Sequence, residues 1–289
     1  MNTGILETQP ALPEIGIDER RAIARAVNHR RLVIFLRIAV AGGTLAGWEA
    51  AVRYGLIDAF FFSQPSAIYD QLKVWLTEGT SQGPLWSELL VTMEETVLGF
   101  LIGSALGIFC GIALGRNKLA ADVFSIYIKV ANAIPRVVLG SIFIIMFGLG
   151  MGSKVALAVV MVFFVVFGNA FQGVREADKN LIANAYILGA NKRQVTFSVV
   201  FPSALTWILA SLHVSFGFAL VGAVVGEFLG ARHGIGLLIS TAQGTFNAAG
   251  VFSAMIVLAV VALAAEYLLT AIENKLLKWR PAQFVEQGM

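Results

Sequence analysis

Charge is what this chain has least of. Only 13% of its 289 residues are Asp, Glu, Lys or Arg against 57% hydrophobic ones, and its mean hydropathy is +0.78. Soluble domains carry about twice that share of charge, so a water-soluble globule of ordinary type is excluded and the chain belongs in a bilayer. Cysteine is nearly absent too. The lone Cys110 lies in an apolar run, which rules out an intrachain disulfide and any cysteine metal site. A cleavable secretory signal is not expected, because residues 1–31 are polar and hold Arg20, Arg21, Arg25, Arg30 and Arg31 ahead of the first apolar run. Motifs of catalysis are missing as well: H-E-x-x-H, C-x-x-C and G-x-S-x-G do not occur. The stretch Gly148-Leu149-Gly150-Met151-Gly152-Ser153-Lys154 has the glycines of a phosphate loop, yet Val155 follows the lysine and no strand pattern surrounds it. It reads as a turn between helix ends. No catalytic residue, metal ligand, cofactor of its own or nucleic-acid partner is expected, and energy for any work must come from a partner.

What is present in quantity is long apolar runs. A spanning helix takes about 20 mostly apolar residues, and six stretches qualify: 32–54, 90–115, 120–147, 154–173, 203–227 and 249–273. The expected fold class is therefore all-α, a polytopic membrane protein of about six transmembrane helices. Its parts are a tail (1–31), a transmembrane domain (32–280) with a polar loop at 174–202, and a second tail (281–289). An even number of crossings puts both termini on one side. On that side fall 14 of the 21 Lys and Arg residues, including Arg175, Lys179, Lys192 and Arg193 of the 174–202 loop. The opposite side receives Arg53, Lys73, Lys154 and Arg232, while Arg37, Lys129 and Arg136 fall at membrane depth. Such a bias places the termini and the 174–202 loop in the cytoplasm.

Several positions stand out within the spans. Gly99, Gly103, Gly107, Gly111 and Gly115 recur every four residues. Glycine costs about 1 kcal/mol per helical position relative to alanine, so the stripe implies close approach of a neighbouring helix. Asn132-Ala133-Ile134-Pro135-Arg136 interrupts the third span. A proline there frees backbone groups that are tolerated only against protein or a water-filled cavity, which puts Asn132, Pro135 and Arg136 beside a pathway. Arg136 costs at least about 2.5 kcal/mol at depth and needs a wet surface or a carboxylate such as Glu94 or Glu95. His213 and Glu227 are 14 residues apart on the fifth span and so share a face; they are further candidates for a substrate pathway. Alternatively, His213 is a core residue and Glu227 caps a helix end or pairs with Arg232. Between the first two spans, Pro65 sits well at the start of an amphipathic helix over 65–78 carrying Tyr69, Leu72, Trp75 and Leu76, with Ser63 placed to cap it.

The polar loop carries the most specific pattern. Ala183-Asn184-Ala185-Tyr186-Ile187-Leu188-Gly189-Ala190 is followed by Val199-Val200-Phe201-Pro202. Its spacing resembles the cytoplasmic "EAA" loop of ABC importer permeases: E-A-A, three residues, Gly, nine residues, Ile, one residue, Leu-Pro. Gly189 and Pro202 match that interval, whereas Ala183 and Asn184 depart from its opening Glu-Ala. Two further elements are similar to the nitrate, sulfonate and taurine branch of that family. One is Ser63-Gln64-Pro65-Ser66, with Gln64 departing from Pro-Ser-Pro. The other is Gly234-Ile235-Gly236, followed by Ile239, after Glu227.

The resemblance implies a type I ABC importer permease fold in the bacterial inner membrane. It also implies that Ala183, Asn184, Ala185, Leu188, Gly189, Ala190 and Pro202 couple the chain to an ATPase. Two ATP-binding subunits, which bind the ATP and Mg, a second permease copy forming a homodimer, and a periplasmic binding protein are the implied partners, with membrane lipid around them. Arg136 and His213 favour an anionic solute such as a sulfonate or carboxylate; a neutral or heterocyclic vitamin precursor stays open. An ion-coupled secondary transporter, with Glu94, Glu95 and Glu266 as coupling groups, is the rival reading and leaves the loop spacing unexplained.

Overall fold

A computed structural model of the chain describes residues 17–276, and those residues are almost entirely helical. Two compact units divide between Ala59 and Phe60. The first is dominated by α1 (Ile17–Arg53), within which Asn28–Arg53 is long and apolar enough to cross a membrane. The helix begins inside the polar stretch, so residue 31 does not mark a structural boundary between tail and span. The expected C-terminal tail at 281–289 lies outside the described residues.

The second unit opens with α2 (Pro65–Thr77), whose first turn accepts proline because that amide has no helical partner. The expected cap shifts by one residue. Gln64 occupies the N-cap position without a side-chain bond, while Ser63 precedes it in the left-handed region at φ +52 with its side chain buried. Trp75 packs with Leu85, Ile235, Leu238 and Ala254, while Tyr69 and Leu76 stay exposed. This is the amphipathic division the sequence suggests, with the apolar seam narrower than the Tyr-Leu-Trp-Leu set.

The centre of this unit is α6 (Met151–Arg175), lodged between α3 (Leu85–Arg116) and α8 (Lys192–Leu229). Leu157, Ala158, Val162, Val166 and Ala170 of α6 are wholly buried there. The glycine stripe of α3 explains how the helices come so close. A Cβ added at Gly103, Gly107 or Gly111 would fall 2.8 Å from Val159 O, 2.9 Å from Val166 Cβ or 2.7 Å from Ala170 Cβ. On the other flank Gly222 of α8 approaches Ala158, where an added Cβ would lie 2.7 Å from its Cα. Lipid gives helices no hydrophobic reason to associate, and such close backbone packing supplies dispersion contacts in its place.

The third span is broken as its proline suggests. Helix α4 (Lys118–Ala133) ends before Pro135, a 3-10 turn covers Arg136–Val138, and α5 (Leu139–Phe147) leaves at a bend of 75°. Gly148, at φ +74, turns the chain toward α6, as expected for the glycine-rich stretch. After α6 come α7 (Lys179–Ile187), the long α8, the short α9 (Ile235–Gly244) and α10 (Ala248–Leu276). Among the described residues five helices are long and apolar enough to span, or six if the bent α4–α5 pair counts as one.

Candidate functional site

The polar loop forms a rigid knuckle. Asp178 caps α7 by accepting from Asn180 N at 2.7 Å. At the other end Gly189 N donates to Tyr186 O and Ala190 N to Ala185 O, both at 3.0 Å. Those two bonds form a Schellman closure, and it needs a left-handed residue: Gly189 sits at φ +84. An added Cβ at Gly189 would meet nothing within 4 Å, so the glycine answers to backbone conformation and not to close approach within this chain. Asn191 then starts α8 with a capping box, its side chain accepting from Gln194 N at 2.9 Å while Asn191 N donates to Gln194 Oε1 at 2.8 Å. The loop is thereby tied to α8 without slack.

Pro202 falls early in α8, just after a π-helical turn at Thr196–Val200. A proline clashes with the carbonyl four residues back, and the wider turn accommodates it, with Phe201 N donating to Thr196 O. Ile187 and Leu188, at the tip, are 81% and 86% exposed. Beside them Ala185, Leu188, Gly189 and Gln194 line a shallow hollow of 290 Å³. Two large apolar side chains are thus held out at the tip of a capped knuckle. Ala183, Asn184 and Ala190 belong to the same knuckle.

The proposed pathway residues fall on two different helix pairs. Arg136 Nη2 donates to Asn132 Oδ1 at 2.8 Å across the break, and its guanidinium lies 5.0 Å from the Phe164 ring centroid on α6. The described contacts of Arg136 are thus Asn132 and an aromatic face; the alternative of a carboxylate partner at Glu94 or Glu95 is not what the geometry shows. His213 of α8 meets α10, with Nε2 3.2 Å from Thr270 Oγ1.

Glu227 is a correction. It is fully buried, its Oε1 accepting from Thr92 Oγ1 and its Oε2 from Gly236 N, both at 2.7 Å. Its bonds go to Thr92 of α3 and to the start of α9 instead of Arg232, and burial removes it from any surface a solute could touch in this conformation.

Glu227 belongs to a clasp that was not anticipated. Gly234, Ile235 and Gly236 donate in succession to Glu88 Oε2 (2.5 Å), Thr92 Oγ1 (2.9 Å) and Glu227 Oε2. Three amides that begin a helix have no intrahelical partner, and two carboxylates and a hydroxyl satisfy them here. Lys154, assigned by charge counting to the side opposite the termini, is 1% exposed and donates to Leu149 O at 2.6 Å and Gly150 O at 3.1 Å. The available signal was the spacing of Glu88, Thr92 and Glu95, which puts three polar residues on one face of an apolar span.

Comparison with known proteins gives this geometry its context. Residues 103–278 match the family described as the inner membrane component of binding-protein-dependent transport systems. The chain belongs to that family. Among the permeases it is similar to is SsuC of Bacillus subtilis, a transport permease protein assigned to aliphatic sulfonates. The two are 31% identical over 82% of this chain and 84% of that one. The riboflavin transport system permease protein RibX of Chloroflexus aurantiacus is 30% identical over 81% and 86% of the two chains. The taurine transport system permease protein TauC of Escherichia coli is 28% identical over 85% and 90%. A solved amino acid ABC transporter shares the fold at a TM-score of 0.53 and 18% identity, covering 73% of this permease and 95% of that chain. The inward-facing MetNI methionine transporter does so at 0.52 and 18%, covering 67% and 93%.

The chain is therefore a multi-pass membrane permease subunit of an ABC importer, with the type I fold that its loop spacing suggests. Permease subunits of this family serve transport and are typically non-catalytic. The family's systems pair such a subunit with an ATP-binding subunit and a binding protein.

Proposed function

We propose that this permease pairs with a second copy of itself, each copy resting on an ATP-binding subunit that holds the ATP and Mg, and that the pair forms the translocation pathway in the bacterial inner membrane. The termini and the knuckle face the cytoplasm, and a periplasmic binding protein delivers the solute on the other side. The observation that carries this reading is the knuckle itself, where Ile187 and Leu188 project from a helix locked to α8 by the Gly189 closure and the Asn191 capping box. A displacement imposed on that tip by closing ATPases passes directly into the 38-residue α8, and the cavity turns from one side to the other.

The cargo is a small organic solute with an anionic group, a sulfonate or carboxylate. Arg136 beside the broken span supports this, since a guanidinium at depth is retained where it meets water or protein and suits a planar or tetrahedral anion. The names of the sulfonate and taurine relatives point the same way. The test is reconstitution of the permease with its ATPase and binding protein in liposomes. Uptake is expected to require ATP on the knuckle side and to survive ionophores that collapse proton and sodium gradients. Uptake by the permease alone, driven by a gradient and abolished by ionophores, would establish the ion-coupled alternative.

A further inference from the structure

Helix α10 carries one acidic or basic side chain in its candidate span Ala248–Ala271, and that is Glu266. The proximity of Thr270 to His213 places this part of α10 against α8. His213 lies mid-way along the apolar part of α8, and Thr270 Oγ1 is 3.2 Å from its Nε2. Thr270 Oγ1 also donates to Glu266 O at 2.8 Å, so Glu266 stands one helical turn further into the span. A carboxylate there is exposed on the surface of this chain. Glu266 lies within the apolar span, five residues before its end at Ala271, and acidic groups within spans face water or protein rather than lipid. Beside it is a recess of 200 Å³ between α8 and α10, lined by His213, Phe216, Gly217, Ala262, Glu266 and Leu269. The recess thus combines a carboxylate that only accepts, an imidazole and an aromatic face in an otherwise apolar wall.

We propose that this recess is a solute subsite within the translocation pathway and that Glu266 selects solutes bearing a cationic or N–H donor group: an ammonium, an amidine or a ring N–H. This deepens the pathway reading and rests on it. A carboxylate in a low-dielectric wall attracts a cation or a donor far more than it does in water and repels a second anion. His213, held by Thr270, supplies a second polar contact whose donor or acceptor role follows its tautomer. Phe216 adds an aromatic ring to the wall, and a cation is drawn to such a ring. A solute that also carries an acidic group answers to Arg136, on a different helix pair.

Thiol labelling tests the subsite without knowledge of the natural cargo. The single native cysteine is removed as Cys110→Ala, and a new thiol is placed in the recess wall as Gly217→Cys, where an added Cβ meets nothing within 4 Å. Ala262→Cys on the facing helix is the independent second placement. Assembled complexes that hydrolyse ATP are treated with a trimethylammonium-ethyl and a sulfonato-ethyl methanethiosulfonate, a cationic and an anionic reagent of similar size. Both thiols are expected to react from water. The cationic-to-anionic rate ratio is expected to fall about tenfold when Glu266→Gln is added, a local concentration effect of the size charged clefts produce. The comparison with Glu266→Gln cancels the reagents' own reactivities. Thiols that resist both reagents, or a ratio unmoved by Glu266→Gln, would overturn the proposal. A failure of the pathway reading itself shows elsewhere, as loss of ATP-dependent uptake by the unmodified complex.

Discussion

Arg136 shows at the level of a single residue what could be read in the sequence. A proline followed by an arginine inside an apolar run announced both a broken helix and an expensive charge, and the 75° bend and the Asn132 bond are the outcome. With its guanidinium over Phe164 and no carboxylate among its described contacts, Arg136 keeps its positive charge available beside the break. Arg136→Gln is expected to slow uptake of a sulfonate or carboxylate cargo about ten- to a hundredfold, the scale of one charge-assisted hydrogen bond. ATP hydrolysis and assembly should be unchanged, and Arg136→Lys should retain part of the rate because charge survives while the planar fork does not. Uptake and complex yield of the two variants check this; equal loss of assembly in both would make the residue a structural pin on Phe164. Glu227 and Lys154 were less legible. A carboxylate near the end of a span and a lysine after a glycine turn look like surface groups, because nothing local reveals that α9 folds back to present three amides. That information is held in a contact between residues 135 or more positions apart.

Among elements, the periodic ones were the most legible and the boundaries the least. The four-residue glycine repeat named a packing face but not its partner; the structure identifies α6, and it adds Gly222 and Gly226 of α8 on the opposite flank. Those two share the four-residue spacing but form a single pair, which stands out less than the five glycines of α3. The start of α1 within the arginine-rich stretch escaped notice for a related reason, since charged residues are good helix formers even where they are poor membrane formers. Gly107→Leu places a side chain against Val166 Cβ and the Phe163 carbonyl, both within 3.0 Å of an added Cβ. Overpacking of this kind costs roughly 1–3 kcal/mol where the backbone can yield and more where it cannot. The complex in detergent is expected to melt at a lower temperature, with Gly107→Ala showing a smaller fall. An unchanged melting temperature for Gly107→Leu would mean that α3 and α6 do not pack through this face in the assembled transporter.

For the molecule as a whole, the sequence carried the class and the loop because both follow from local chemistry: apolar length sets the spans, and a left-handed glycine followed at a set interval by a proline sets the knuckle. What joins α3, α6, α8 and α9 into one body is non-local and emerged only with the fold. The central claim is that the knuckle transmits work from a separate ATPase into α8. Leu188 is 86% exposed, so Leu188→Asp leaves the fold of this chain intact while putting a charge where an apolar anchor should seat in the partner. The most direct measurement is solute-stimulated ATP hydrolysis together with uptake in liposomes holding the complete Leu188→Asp complex at wild-type permease levels. Both activities are expected to fall at least tenfold while the permease inserts and melts as the wild type does. Full uptake with normal stimulation of hydrolysis would contradict the assignment of this knuckle as the coupling element.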